Sequence, residues 1–324
     1  MRELRAAAAV FLGLVLVGPA AAQTWPSRPI KMIVGFEAGG GTDVLGRIIA
    51  QGLSEVLGKP VVVENVSGAG GMVGGARAAN AQPDGYTILL SSRADAINQS
   101  LYKRPLYNLV RDLVPVVLIG DQPSVVITRK GIPVHTMPEF IDYVTKNQAT
   151  LKYATAGPGS SGTLDCMLLN SAIGVDVTPV PYRGSGPGMQ ALAGGFVDYI
   201  CTLTGSALPL IQANAVNPIA VLTRDRTQMF PDIPTAWEQG FRKFEGSTWF
   251  GIHVPKGTPQ DIVNKLHDAA VTAMESPQIQ KQLLTGGATV VPPDRRSIEY
   301  YSKFIDQEIE KNGAAIRAAG LSID

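Results

Sequence analysis

Apolar positions along the chain switch between two periods. Residues 30–36 form a short β-rich run, and after a glycine turn Val44, Leu45, Ile48, Ile49, Leu53, Val56 and Leu57 recur at helical spacing. Such alternation is the grammar of βαβ units, which build parallel sheets. Further strands are predicted at 61–64, 86–91, 114–119 and 124–128. A second series opens with a strand at 151–155, a glycine-rich turn and a helix over 162–173. It continues with a strand at 178–181, a helix at 186–193, and strands at 196–202 and 218–223. The last third carries a strand at 247–254 and a helix with Thr258 as N-cap and Pro259 at its first position. Ile262, Val263, Leu266, Ala270 and Met274 form the apolar face of that helix, and a final long helix is predicted over 297–319. Two α/β series of similar size fit two lobes better than one long sheet.

Length supports the same division, because about 300 residues exceed what one hydrophobic core usually supports. The first 22 residues are read separately. Arg2 and Arg5 precede an apolar run at 6–17 and the small residues Ala20, Ala21 and Ala22, the pattern of a secretory signal peptide cleaved before Gln23. The run is shorter than the roughly 20 apolar residues a membrane span needs, and no later run is longer. A soluble mature protein exported to a periplasm is expected. Removing Arg2, Arg5 and Glu3 from the 28 basic and 27 acidic residues leaves 26 of each, a neutral chain. Without a broad basic surface, nucleic acid is not an expected partner. The two cysteines, Cys166 and Cys201, fit either a disulfide in an oxidising compartment or two buried thiols.

Candidate chemistry concentrates in two turns that follow strands and open helices, at 36–43 and 156–163. Each places backbone N–H groups at the positive end of a helix, where an anion is stabilised, and glycine lets the main chain approach a ligand closely. The edge at the carboxyl ends of the strands is where open α/β sheets bind ligands. The competing reading is two tight βα turns, with Thr42 or Asp43 only capping a helix. Gly157, Gly159 and Gly162 also satisfy GxGxxG, but Asp176 precedes the following strand instead of ending it, which argues against a dinucleotide site. His135, His253 and His267 are scattered without metal-ligand spacing, and no serine forms GxSxG. An exported hydrolase is therefore the weaker alternative, and no catalytic residue, metal or cofactor is expected.

A series of motifs in order extends over essentially the whole chain after residue 22. It includes Trp25-Pro26-Ser27-Arg28-Pro29-Ile30, Gly35-Phe36 with Gly39-Gly40 and Asp43, Val62-Val63-Glu64-Asn65 and Pro83-Asp84-Gly85-Tyr86-Thr87. It continues through Pro181-Tyr182-Arg183-Gly184-Ser185-Gly186-Pro187, Ser206-Ala207-Leu208-Pro209 and Pro231-Asp232-Ile233-Pro234-Thr235. By these motifs the chain resembles the substrate-binding proteins of tripartite tricarboxylate transporters, the TctC or Bug family. The resemblance implies a type II-like Venus-flytrap fold of two α/β lobes, each with a mainly parallel sheet. Lobe 1 would comprise 23–122 and 223–324, and lobe 2 would comprise 123–222, with crossings near 120–124 and 222–224. It further implies a monomer that holds a small carboxylate between the two turns, often through bridging water. The ligand would be a mono- or dicarboxylate, aromatic or amino acid included. Delivery would be to a membrane permease of two subunits, the rival role being a periplasmic sensor that touches a kinase ectodomain.

Carried over by position, the cradle would be Phe36, Ala38, Gly39, Gly40 and Asp43 facing Ala156, Gly157, Ser160, Ser161 and Thr163, with Ser91 and Ser92 at a strand end. Four residues depart from the family pattern. Thr163 stands where many relatives have histidine, Thr202 where many have aspartate, Glu37 replaces a small residue, and Arg93 follows Ser91-Ser92 where small polar residues are usual. Arg93 is expected to take a second carboxylate in bidentate fashion; the alternatives are a pair with Glu37 or a solvated side chain. Glu37 is read either as the partner of a ligand ammonium group or as solvated.

Overall fold

The computed structural model describes residues 25–322 except residue 244, so the expected signal segment lies outside the described residues. The chain begins with β1 (Ile30–Val34), α1 (Gly41–Leu57), β2 (Val61–Asn65), α2 (Met72–Ala79), β3 (Thr87–Ser92) and α3 (Arg93–Leu101). A long strand, β4 (Leu113–Arg129), leads into α4 (Met137–Asn147), β5 (Lys152–Thr155), α5 (Ser161–Ile173), β6 (Thr178–Pro181), α6 (Ser185–Ala193), β7 (Tyr199–Leu203), α7 (Thr204–Gln212) and β8 (Val216–Val221). Finally come β9 (Ser247–Pro255), α8 (Gln260–Glu275), α9 (Pro277–Thr285), β10 (Thr289–Val290) and α10 (Ile298–Ala318).

The strands follow the order β2-β1-β3-β9-β4-β7-β5-β6, with β10 and β8 also on β4. Parallel pairing, as the βαβ pattern predicts, joins β1 to β2 and β3, and β5 to β6 and β7. β4 and β9 add antiparallel pairings that local periodicity does not announce, so each half carries a mixed sheet. The two strands expected at 114–119 and 124–128 are one. Gly120, Asp121, Gln122 and Pro123 interrupt the apolar pattern like a turn, yet pairing with Phe250, Trp249, Thr248 and Ser247 keeps them extended. At Ser124, β4 exchanges β9 for β7.

Side-chain alternation divides each sheet into two buried faces. In the first half Met32, Val34, Ile88, Leu90, Ile252 and Val254 pack with α1, α8 and α9, whereas Ile33, Leu89, Leu118 and Trp249 pack with Tyr301 and Ile305 of α10. In the second half Val126, Tyr153, Tyr199 and Cys201 pack with α4 and α5, while Val125, Ile127, Ala154 and Ile200 pack with α6 and α7. Cys166 and Cys201 are disulfide-bonded with Cα atoms 5.3 Å apart, tying α5 to β7. The segment after β8 stays with the second half. Leu222, Ala236 and Phe241 enter one of its cores, Phe230 and Ile233 the other, and Thr235 bridges Val221.

The helices α5, α6, α8 and α10 each start one residue away from prediction. Pro259 is the N-cap of α8, because the Thr258 hydroxyl turns back to donate to Pro255 O at 2.8 Å.

Candidate functional site

The first turn is held from behind by a carboxylate. Gly39 adopts φ +84°, and its N–H donates to Asp43 Oδ2 at 3.0 Å. Asp43 also accepts from Arg47 Nε at 3.0 Å and from Asn65 Nδ2 at 2.8 Å, and Asn65 donates in turn to Phe36 O. Burial alone would push the Asp43 pKa up; the bonds from Arg47, Gly39 and Asn65 outweigh it and hold the carboxyl below its ordinary value. Asp43 is thus spent on the shape of the turn. Gly40, the N-cap of α1, has no side chain to close the first helical N–H groups.

The second turn is built with hydroxyls. Gly157 and Gly159 take φ values of +97° and +82°. Thr163 Oγ1 donates to Gly157 O at 2.9 Å and lies 2.7 Å from Ser160 Oγ. Neither Thr163 nor Asp43 lines the space between the turns; both shape its walls.

That space is a narrow cavity between the two turns. Of the candidate residues singled out in the sequence, Phe36, Glu37, Gly40, Ser92, Ala156, Ser160, Ser161 and Thr202 are brought to its lining. Ala38 and Gly39 sit on the exposed outer side of their turn, and Gly157 does not line the cavity. Ser91 is withdrawn into the core, with its Oγ 2.7 Å from His253 Nδ1 and 2.9 Å from Tyr301 OH. Burial drives the His253 pKa down to about 3, so this imidazole is neutral and is no proton acceptor for a bound molecule.

Arg93 is turned away from the cavity. Its Nη1 donates to Asp165 Oδ1 at 2.7 Å and to Ser247 O at 3.1 Å, and its Nε donates to Asn312 Oδ1 at 2.9 Å. Asp165 takes the Ser124 hydroxyl on its other oxygen at 2.6 Å. Arg93 and Asp165 are 6% and 0% exposed, so this is a buried pair, and Arg93 is bonded to Asp165 and not to Glu37.

The structure adds Gly41, Thr42, Gly162, Ser185, Leu203 and Thr248 to the cavity lining. Ser185 was legible, since Gly184-Ser185 after a strand is the same kind of helix opening as the two turns. Thr248 had no local signal, being delivered by the pairing of β9 with Gln122. Together the lining residues bring the N-terminal ends of α1, α3, α5, α6 and α7 to one place. Each end carries a partial positive charge, although one N–H is already taken by Ser206 at α1, by Ser92 at α3 and by Ser160 at α5. Thr202 and Thr248 are 1% and 2% exposed, and their hydroxyls have no hydrogen-bond partner among the described residues. Among the described residues Glu37 is the one charged side chain in the lining. Among the described residues no group of His, Cys, Asp and Glu is placed to hold a metal ion, and no helix is long and apolar enough to cross a membrane.

The rims meet above the cavity. Gly41 N donates to Ser206 Oγ of α7 at 2.7 Å, and Gly70 lies so near the second turn that an added Cβ would fall 2.0 Å from Pro158 O.

Two α/β halves joined through β4 and closed over a polar cavity are the fold of the periplasmic binding proteins. The structure matches that of the periplasmic binding protein BugD with a TM-score of 0.88 at 35% identity, covering 92% of this chain and 99% of that one. It matches MatC (Rpa3494) from Rhodopseudomonas palustris with bound malate at 0.86 and 33% identity, covering 90% and 100%. It matches Rpa4515 of R. palustris with adipate at 0.87 and 30% identity, covering 92% and 99%. The model of the tripartite tricarboxylate transporter family receptor, TctC, matches residues 45–321, and the chain belongs to that family.

Proposed function

We propose that this chain is an exported solute-binding protein that captures a small organic carboxylate between its two halves and delivers it to a two-subunit membrane permease. The observation that carries this reading is the convergence of five helix N-termini on one cavity, in whose lining no cationic side chain stands among the described residues. A bound carboxylate would be neutralised by main-chain N–H groups and by the unpaired Thr202 and Thr248 hydroxyls, since a buried anion left without donors is costly. That the similar R. palustris proteins carry malate and adipate supports the ligand class. Export rests on the signal-like segment at 1–22, and the permease on membership of the receptor family.

In this reading the lobes divide within 122–124 of β4 and at 246–247, so the segment 223–246, expected in lobe 1, moves with lobe 2, whose cores it enters. Closure would complete the second set of hydrogen bonds around a ligand docked on one lobe.

A thermal-shift screen of mono-, di- and tricarboxylates against the chain from residue 23 onward tests the binding. At least one acid should raise the melting temperature and be recovered unchanged, the stabilisation reaching about 2.7 kcal/mol at a hundredfold excess over Kd. The reading fails if no organic acid shifts the transition.

A further inference from the structure

Resting on the carboxylate reading above, we infer that Glu37 selects a zwitterion: a ligand with one carboxylate for the helix ends and one ammonium group for Glu37. Arg93 follows Ser92 of the lining, and its guanidinium is engaged by Asp165, Asn312 and Ser247 O; Arg183 lines the adjoining pocket with Phe36 and Ala156 instead of this cavity. The other acid of the first turn, Asp43, is consumed by Gly39, Arg47 and Asn65. Glu37 alone lines the cavity without an ion-pair partner among the described residues.

Its geometry leaves one oxygen available. Ser67 Oγ donates to Glu37 Oε1 at 2.6 Å and fixes the side chain at the rim. The Glu37 stem lies beside Gly184, where an added Cβ would sit 3.5 Å from Glu37 Cβ, so the carboxylate stands near the start of α6. A ligand that fills the cavity meets amide N–H groups and two buried hydroxyls at one end and this acid at the rim. A second carboxylate there would face like charge at short range, which suppresses the wrong partner. An ammonium group instead gains charge-assisted hydrogen bonds to Oε2. Negative and positive ends of one small molecule are thereby given separate places.

The experiment is calorimetry on the chain from residue 23 onward, using matched probes: the common L-amino acids, the 2-oxo acids that correspond to them, and malate and adipate. The wild-type protein should bind at least one amino acid ten-fold or more tightly than its 2-oxo counterpart and than either diacid. Glu37→Gln should weaken that amino acid ten-fold or more and narrow the gap to the diacids. Glu37→Lys should invert the order in favour of malate or adipate, and because Glu37 is partly exposed at least one of the two variants is expected to keep its fold. Tighter wild-type binding of a diacid than of every amino acid overturns the inference while leaving the carboxylate reading intact. Equal losses for amino acids and diacids in Glu37→Gln do the same. No binding of any acid overturns the underlying reading, and the inference with it.

Discussion

Two places where the halves meet handle charge in opposite ways. At the crossing of β4 and β9, Arg93, Asp165, Ser124 and Asn312 satisfy one another, and the main chain closes around them: Ser124 N donates to Gly246 O at 3.0 Å and Leu222 N to Ser124 O at 2.7 Å. At the cavity, Thr202 and Thr248 are as deeply buried as Asp165 yet have no hydrogen-bond partner among the described residues, and residues at five helix N-termini line the space. The difference separates structural polarity from receptive polarity. A buried polar group that is paired holds the fold, whereas an unpaired one that lines a cavity can be satisfied by a guest, and leaving it alone costs about 1–3 kcal/mol.

The largest expected effect lies at the crossing. Arg93→Met leaves Asp165 buried without its cation and should lower the unfolding free energy by about 3–5 kcal/mol in urea titration. Replacing both partners, Arg93→Met with Asp165→Leu, should recover much of that loss. A single variant as stable as the wild type would place Arg93 outside the crossing network and blur the contrast.

Next comes the contact of the rims. Gly70 has φ +61°, and its missing Cβ would overlap Pro158 O, so Gly70→Ala should hold the two turns apart. Affinity for the best carboxylate should fall ten-fold or more, about 1.4 kcal/mol, with a larger radius of gyration in solution scattering. Unchanged affinity would show that the rims need not touch for binding.

A smaller change tests the unpaired hydroxyls directly. Thr202→Val and Thr248→Val should leave unliganded stability unchanged or raised, and each should weaken carboxylate binding by about 1 kcal/mol. Should either variant lose stability and keep affinity, the hydroxyl belongs with the structural set. The smallest effect is expected at Ser206→Ala. That hydroxyl is already engaged by Gly41 N, and its loss should weaken binding by about 0.5 kcal/mol, measured by the same calorimetry.

Much of this was legible before folding. The two glycine turns betray themselves because a strand, a run of small residues and a helix opening are all local events, and Phe36, Glu37, Gly40, Ala156, Ser160 and Ser161 follow from them. Arg93 misleads for an equally physical reason. A lone arginine beside two serines at a strand end has the chemistry of an anion contact, and the acid that claims it lies 72 residues further along the chain. The mixed sheets were missed because antiparallel β9 is drawn in from beyond residue 246 to flank β4, and register between distant strands leaves no trace in either strand's own periodicity.

The sequence by itself determined the α/β alternation, the neutral charge of the chain after residue 22 and the amide-rich turns, since these depend on neighbours within a few residues. The tertiary structure alone decided which polar groups spend themselves on one another and which remain open. It joined Cys166 to Cys201, gave Arg93 to Asp165, and brought Thr202 and Thr248 into one cavity without partners. Pairing is a property of distances between remote segments, and those distances exist only once the cores have packed.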